Sequence, residues 1–286
     1  MFKTVQQCKK LYRDIGLGYC YASYNKAYIK HLTEGDFGTL EDKSQEFIDY
    51  AHSKGIGSEK EILIALHENG SWLNSEEELY QFSIQEVRDL IDQRRTLYLK
   101  EQVEQIGVFI KEKELALDNL HVKRSELLSI TSESYASRKQ QEEVIKISFY
   151  KDPEFKTLLY NDEVFDELDI PEIRKVFLLY TSLMLPYCDK NLQKVSVCPF
   201  FLNLFSLCEE NVSAFYSKPI CNLSVYQSKL LEFSKINTVI IKEEGKGPPD
   251  DYYQDLDKVI NWFDTRYQIL VGKSAEARQK NNSIGR

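Results

Sequence analysis

The residues available for nucleophilic or metal chemistry are few: His31, His52, His67 and His121, and cysteines 8, 20, 188, 198, 208 and 221. His31 and Glu34 stand three apart and can share a helical face, but a zinc site needs three or four ligands. His67-Glu68 does not extend to the HExxH spacing of zinc hydrolases. No Glu-x-x-His pair repeats as a carboxylate-bridged di-iron bundle requires. The cysteines are 12 residues apart in the first pair and then 10, 10 and 13, with no CxxC. That spacing predicts reduced, buried thiols in a cytosolic protein, with neither a disulfide framework nor a metal.

Phosphate and cofactor motifs are incomplete. Gly272-Lys273-Ser274 matches the end of a P-loop, but Tyr267 stands where the loop requires its first glycine. Gly16-Leu17-Gly18 lacks the third glycine and the preceding strand of a dinucleotide fold. No cofactor is expected. Between Lys151 and Glu172 eight acids face two lysines, and Asp162, Glu163, Asp166 and Glu167 surround Phe165. This pattern does not fit an EF-hand loop, which needs a glycine after three oxygen-bearing ligands. It reads as a solvated helix face or as a docking patch for a basic partner. Aromatics are the other resource, with 18 Tyr and 15 Phe. Phe200, Phe201, Leu204, Phe205 and Leu207 form an apolar face that must be buried in the domain or against a partner, and Phe215, Tyr216 and Tyr226 add aromatics near a proline-ended turn.

The elements that would position these groups are helical. The 286 residues carry 37 basic against 45 acidic side chains, a net charge of −8, which opposes coating of nucleic acid. No run of 18 apolar residues provides a membrane span, and the N-terminal stretch lacks the apolar region of a signal peptide. All seven prolines lie at or after Pro153, and eight of the twelve glycines at or before Gly107. Helices joined by glycine turns are therefore expected first, and helices ended by proline later. Residues 1–82 predict a small helical domain. Within it, Lys54-Gly55 ends one helix, Ser58 and Glu61 form a capping box for the next, Asn69-Gly70 stops it, and Asn74 or Ser75 starts another.

Residues 83–150 hold one glycine and no proline, and predict one long helix or an antiparallel hairpin with a break between His121 and Thr131. Arg94, Lys113 and Arg124 interrupt the seam that a sustained coiled coil would need. Residues 151–286 predict a helical, aromatic-rich domain with buried helices over 176–185 and 195–207. An exposed turn at Gly245 to Asp251, a helix from Leu256 to Leu270 and a loose basic tail follow. The fold class expected is all-α.

The segment Cys198-Pro199-Phe200-Phe201, Asn211, Phe215-Tyr216-Ser217-Lys218-Pro219-Ile220, Leu223-Ser224-Val225-Tyr226-Gln227-Ser228-Lys229-Leu230 resembles a pattern in chaperone-type tail-assembly proteins of tailed bacteriophages. It spans about 35 residues and extends loosely to the turn from Leu66 to Trp72. It departs at Ser217, where the pattern has glycine, and at Ser224, where it has threonine. The resemblance implies a non-catalytic role in the host cytoplasm or the virion: binding a helical virion protein, or joining a tail or baseplate assembly. The expectation is thus a protein-binding chaperone or adaptor, without enzymatic activity, engaging a protein partner or its own copies through the aromatic cluster and the acidic stretch. The alternatives are an accessory nucleic-acid factor using Arg94-Arg95 and the tail (Lys273, Arg278, Lys280, Arg286), and an enzyme whose site is assembled in space.

Overall fold

The computed structural model describes residues 4–23, 25–97, 100–208 and 211–284; the side chains of residues 95, 96, 100, 212, 214 and 272–284 are outside that description. The chain runs α1 (Val5–Leu17), β1 (Tyr19–Ala22), β2 (Ala27–Lys30), α2 (Glu34–Ser53), α3 (Glu59–Glu68), α4 (Asn74–Thr96), α5 (Lys100–Leu128) and α6 (Ser132–Ser148). It continues through β3 (Phe149–Tyr150), α7 (Asp162–Asp166), α8 (Ile170–Met184), α9 (Asp189–Ser196), α10 (Pro199–Leu207), α11 (Val212–Tyr216), α12 (Val225–Glu244) and α13 (Leu256–Ile284). The protein is mostly helical, and all-α is corrected only by a small antiparallel sheet in the order β1-β2-β3. Helix α13 runs on through the segment expected as a loose tail after Val271.

Two compact units divide the chain: residues 1–41 with 141–286, and residues 42–140. The expected boundaries at 82 and 150 differ from these. The reason is that the N-terminal 41 residues pack with the C-terminal half, a relation between distant segments that local composition does not carry.

In the larger unit, α1 is a well-marked helix. Thr4 and Gln7 form a capping box at its start, and Gly18 ends it at φ +80°. Gly18 is required there, because the left-handed backbone disfavours a Cβ, and a Cβ would lie 3.2 Å from Lys218 Nζ. The chain then turns into β1. Cys20, Ala22, Ala27 and Ile29 face inward and are buried, while Tyr19, Tyr21 and Tyr28 lie on the other face. Phe149 of β3 pairs with Ile29 and is fully buried. The core continues through Leu192, Val195, Phe201, Leu230, Ile240, Val259 and Phe263.

In the smaller unit, the predicted punctuation holds. Ser58 and Glu61 form the capping box of α3, and Gly55 and Gly70 take φ of +80° and +72°. Helix α4 starts slightly earlier than expected, with the Glu76 carboxylate accepting from Leu73 N–H. Helices α4 and α5 form the hairpin and pair antiparallel: Glu86 meets Lys113, Glu77 meets Arg124, and Glu76 meets Lys123. Helix α4 ends at Thr96 and α5 starts at Lys100, and Tyr98 and Leu99 are outside the described residues. The break predicted for 121–131 separates α5 from α6 instead.

Two of the three cations that interrupt the seam, Lys113 and Arg124, are paired with acids across it. The Arg124 side chain is 9% exposed and donates to Glu77 Oε2 at 2.8 Å, Glu77 Oε1 at 3.1 Å and Glu59 Oε1 at 2.7 Å. It also lies 4.9 Å from the Tyr80 ring centre. Burial disfavours ionised Glu77, but hydrogen bonds from Arg124, Gln81 and Trp72 outweigh it and hold the carboxyl below its ordinary range. Removing one member of a buried ion pair costs about 3–5 kcal/mol. Because Glu59 keeps 42% of its side chain in water, Arg124→Ala is predicted to cost less, about 2–3 kcal/mol, after screening is discounted. Urea unfolding of both proteins measures this; a loss under about 0.5 kcal/mol would show that the seam does not depend on the pair.

Candidate functional site

The segment that carries the phage-protein resemblance is built into the larger unit as a tie between the two ends of the chain. Ser224 caps α12: its hydroxyl accepts from Gln227 N–H, and Gln227 Oε1 accepts from Ser224 N–H at 2.9 Å. The fully buried Gln227 amide then donates Nε2 to Ile15 O at 2.9 Å and to Gly16 O at 3.4 Å. These are carbonyls of the last turn of α1; Ile15 O also accepts from the capping Gly18 N–H at 3.0 Å, so the amide adds a second donor there. Val225 N–H donates to Leu32 O at 3.0 Å beside a Thr33–Ser224 bridge. Lys218 Nζ reaches the Gly18 turn, where a cation favours the negative end of the helix. Ser217, which replaces the glycine of the pattern, has φ +53°, a conformation that glycine adopts without strain.

The aromatic cluster is used in packing. Phe201, Phe205 and Tyr216 are 0%, 3% and 9% exposed, and Phe200, Phe215 and Tyr226 are half-buried against the same core. Tyr12 of α1 meets Phe200 and Phe201 edge-on at 5.7 and 5.4 Å, and Phe215 meets Phe201 at 5.5 Å. Docking cannot draw on Phe201 or Phe205 without opening the unit. Their placement is decided by α1, whose Tyr12 stands 189 positions before Phe201, which local spacing does not reveal.

The acidic stretch divides by role. Asp152 accepts from Lys156 and Thr157 N–H, and Asp169 with Glu172 forms the capping box of α8. Lys146 pairs with Asp162 at 2.7 Å and Glu143 at 3.0 Å, while its Nζ lies 5.2 Å from the ring centre of buried Phe165. Glu163, Asp166 and Glu167 remain exposed beside them. Immediately after, α8 turns three large apolar side chains to water. Ile170 is 82%, Leu178 61% and, just past its end, Leu185 73% exposed. At about 100° per residue, the three fall within a sector of about 80°. Only part of the apolar run 176–185 expected as core is therefore buried: Val176 is inside, Leu178 and Leu185 are not.

Histidines do not converge. In the smaller unit His67 Nδ1 bonds Trp72 O at 2.7 Å, His121 Nδ1 bonds Tyr80 OH at 3.0 Å, and His52 Nε2 bonds Ser132 Oγ at 2.9 Å. The last contact has the distance of a serine–histidine dyad. Ser132, however, is fully buried, donates its N–H to Gly57 O, and starts α6. Burial also pushes the Cys20 thiol up to about 11, far from a reactive thiolate. Cys8 and Cys198 are buried as predicted, Cys208 is half-buried, and Cys188 and Cys221 are exposed. Among the described residues no group of three or more His, Cys, Asp or Glu is placed to hold a metal ion. No described helix is long and apolar enough to cross a membrane. Of the basic residues proposed for phosphate contact, Arg94 is exposed. The side chains of Arg95, Lys273, Arg278 and Lys280, and the whole of Arg286, lie outside the described residues.

Two concavities belong to the larger unit. One, of about 270 Å³, lies between α9, α12 and α13 and contains Ser196, Asn237 and Asp264, the last with its carboxyl pushed up by burial. The other, about 730 Å³ and open, runs along β1 between Lys10, Arg13 and Tyr19 on one side and Leu183, Pro186 and Tyr187 on the other. In the first, the Ser196 hydroxyl donates to Gln193 O at 2.8 Å and accepts from Asn237 Nδ2 at 3.0 Å. The chain matches no protein-family model, no curated protein and no solved structure.

His31 is the anomalous buried group. It is 2% exposed, has no hydrogen-bond partner on either ring nitrogen, and packs edge-on to Tyr187 at 4.5 Å and Tyr226 at 5.1 Å. Burial, with a smaller contribution from the charge of Lys218, pushes its pKa down to about 3. The folded state therefore holds it neutral while the unfolded chain binds a proton below about pH 6.5. Stability contributed by the neutral form is complete above that pH and falls by about 1.4 kcal/mol per pH unit as pH drops from about 6.5 towards 3. His31→Leu is predicted to remove this slope, so that its stability relative to wild type rises steadily between pH 6.5 and 4.5. A constant difference across that range in urea titrations would contradict the assignment.

Proposed function

We propose that this protein is a non-catalytic docking protein, an assembly chaperone or structural adaptor of a viral tail or baseplate complex, acting in the host cytoplasm or on the virion. Its partner is a helical protein with a basic, amphipathic surface. One observation carries the reading: the exposed line Ile170, Leu178 and Leu185 lies directly after the exposed acids Glu163, Asp166 and Glu167. A folded unit that has buried aromatics elsewhere leaves large aliphatic side chains in water at a cost of about 1.5–3 kcal/mol each relative to burial. Exposed apolar groups set among charges mark interaction surfaces, and exposed Arg174 and Lys175 stand between Ile170 and Leu178. The acids supply the complementary field that speeds encounter and sets register. The resemblance of residues 198–230 to tail-assembly chaperones supports the viral setting.

The test uses the full chain carrying a photo-crosslinking residue at position 178 or 185, expressed in its native cell. Crosslinks to one helical protein are expected. Leu178→Gln with Leu185→Gln is predicted to weaken that complex by at least tenfold, corresponding to about 1.4 kcal/mol, and to leave the melting temperature unchanged because both sites are exposed. A complex of undiminished affinity would overturn the role of this face. Salt-sensitive binding of single-stranded nucleic acid without any protein crosslink would replace the reading with the nucleic-acid alternative.

A further inference from the structure

Helix α5 has two apolar faces, and its packing with α4 uses only one. The seam contains Ile110 and Arg124, 5% and 8% exposed, with Leu117 half-buried between them. Two residues earlier in each case stand Val108, Leu115 and Val122, which are 60%, 65% and 55% exposed. A shift of two residues is about 200° around a helix, so these three lie on the face opposite the seam. They repeat at strict intervals of seven, drift by only about 20° per step, and form a straight row about 21 Å long. An outward helix face is normally polar, and single exposed aliphatics need no explanation. A heptad row is different, because its period is that of one helix packing against another.

The charges beside the row select the occupant. Between and just after its members stand Lys111, Glu112, Asp118, Asn119, Ser125 and Glu126, all exposed, with three acids against one base. A second copy of α5 placed antiparallel about Leu115 would set Val108 against Val122, but also Glu112 against Asp118 on both sides. A parallel copy would align each acid with itself. Like charges in such positions destabilise helix pairing. A helix with aliphatic residues at heptad spacing and Lys or Arg beside them meets both features.

We infer that the Val108–Leu115–Val122 face of α5 docks a basic-flanked amphipathic helix of another protein, giving the smaller unit a binding surface of its own. This rests on the reading of the chain as a helix-binding adaptor, and it assigns a second face to that task. The probe is a labelled 21-residue peptide with leucine at the first and fourth heptad positions and lysine beside them. Its twin has glutamate in place of lysine. Binding to the full chain is followed by fluorescence anisotropy. The lysine peptide should bind, and raising salt should weaken it. The glutamate twin should bind at least tenfold more weakly. The triple variant V108Q/L115Q/V122Q should lose at least tenfold in affinity with an unchanged circular dichroism spectrum, since glutamine is a good helix former. L178Q/L185Q should bind the peptide as wild type does. Equal binding by the triple variant, or equal binding of the two peptides, would overturn the assignment. So would micromolar dimerisation of the chain that the triple variant abolishes, because the occupant would then be a second copy. Loss of binding in L178Q/L185Q alone would overturn the α5 face and leave the proposed function standing; absence of binding to every form would overturn both.

Discussion

One primary amide joins the two ends of this chain. Gln227 is fully buried, and its side chain bonds Ser224 within its own helix and Ile15 O, 212 residues earlier in the sequence. Each partner has a need the amide meets. The last turn of α1 has carbonyls reached only by capping bonds, Gly18 N–H to Ile15 O among them, and the first turn of α12 has N–H groups without helical partners. Leaving either set buried and unmet would cost about 1–3 kcal/mol per group. The neighbouring Val225–Leu32 bond and the approach of Lys218 to Gly18 work on the same junction. The strand pair after Gly18, the buried ring of Phe201 against Tyr12, and the sheet contact of Phe149 all follow from α1 being held there.

This constraint sorts the surface from the interior. Because α1 occupies the space over Phe200 and Phe201, the aromatic-rich segment becomes core, and the side chains left for recognition are aliphatic and acidic. Those lie on α7–α8 in the larger unit, and α5 repeats the combination in the smaller one. The helix hairpin solves a related problem within its own seam. Arg124 and Lys113, which would defeat an apolar coiled coil, are met by Glu77, Glu59 and Glu86. Helix α5 can therefore carry Arg124 and Lys113 in an otherwise apolar seam while Val108, Leu115 and Val122 face outward.

Local chemistry was legible. The Ser58–Glu61 box, the stops at Gly55 and Gly70 and the turn at Gly245 are each specified by residues within four positions of one another. The strands of four residues at 19–22 and 27–30 were not legible, since their alternation is too short to stand out and their inner face is completed by Phe149, over a hundred residues away. Unit boundaries were hidden for the same reason. At the candidate site, the four acids were identified, but only packing separates Asp162, bound to Lys146, from exposed Glu163. An apolar residue in a helical pattern does not announce which way its face will turn: Leu178 and Leu185 read as core beside Val176, and Val108, Leu115 and Val122 are equally ambiguous until the α4 seam is known.

Residues 1–41 and 141–286 form one compact unit, in which the Gln227 junction couples the opening of α1 to that of α12. Native-state hydrogen exchange tests it most directly, by comparing amides of Leu11 and Ile15 in α1 with those of Leu230 and Ser234 in α12. One shared opening free energy is predicted for both helices in the wild type, with an equal fall in both, of about 1 kcal/mol or more, in Gln227→Glu, which removes the side-chain donor to buried Ile15 O and half-buried Gly16 O. Exchange of α1 at a far lower free energy than α12, or a fall confined to α1 in the variant, would contradict it.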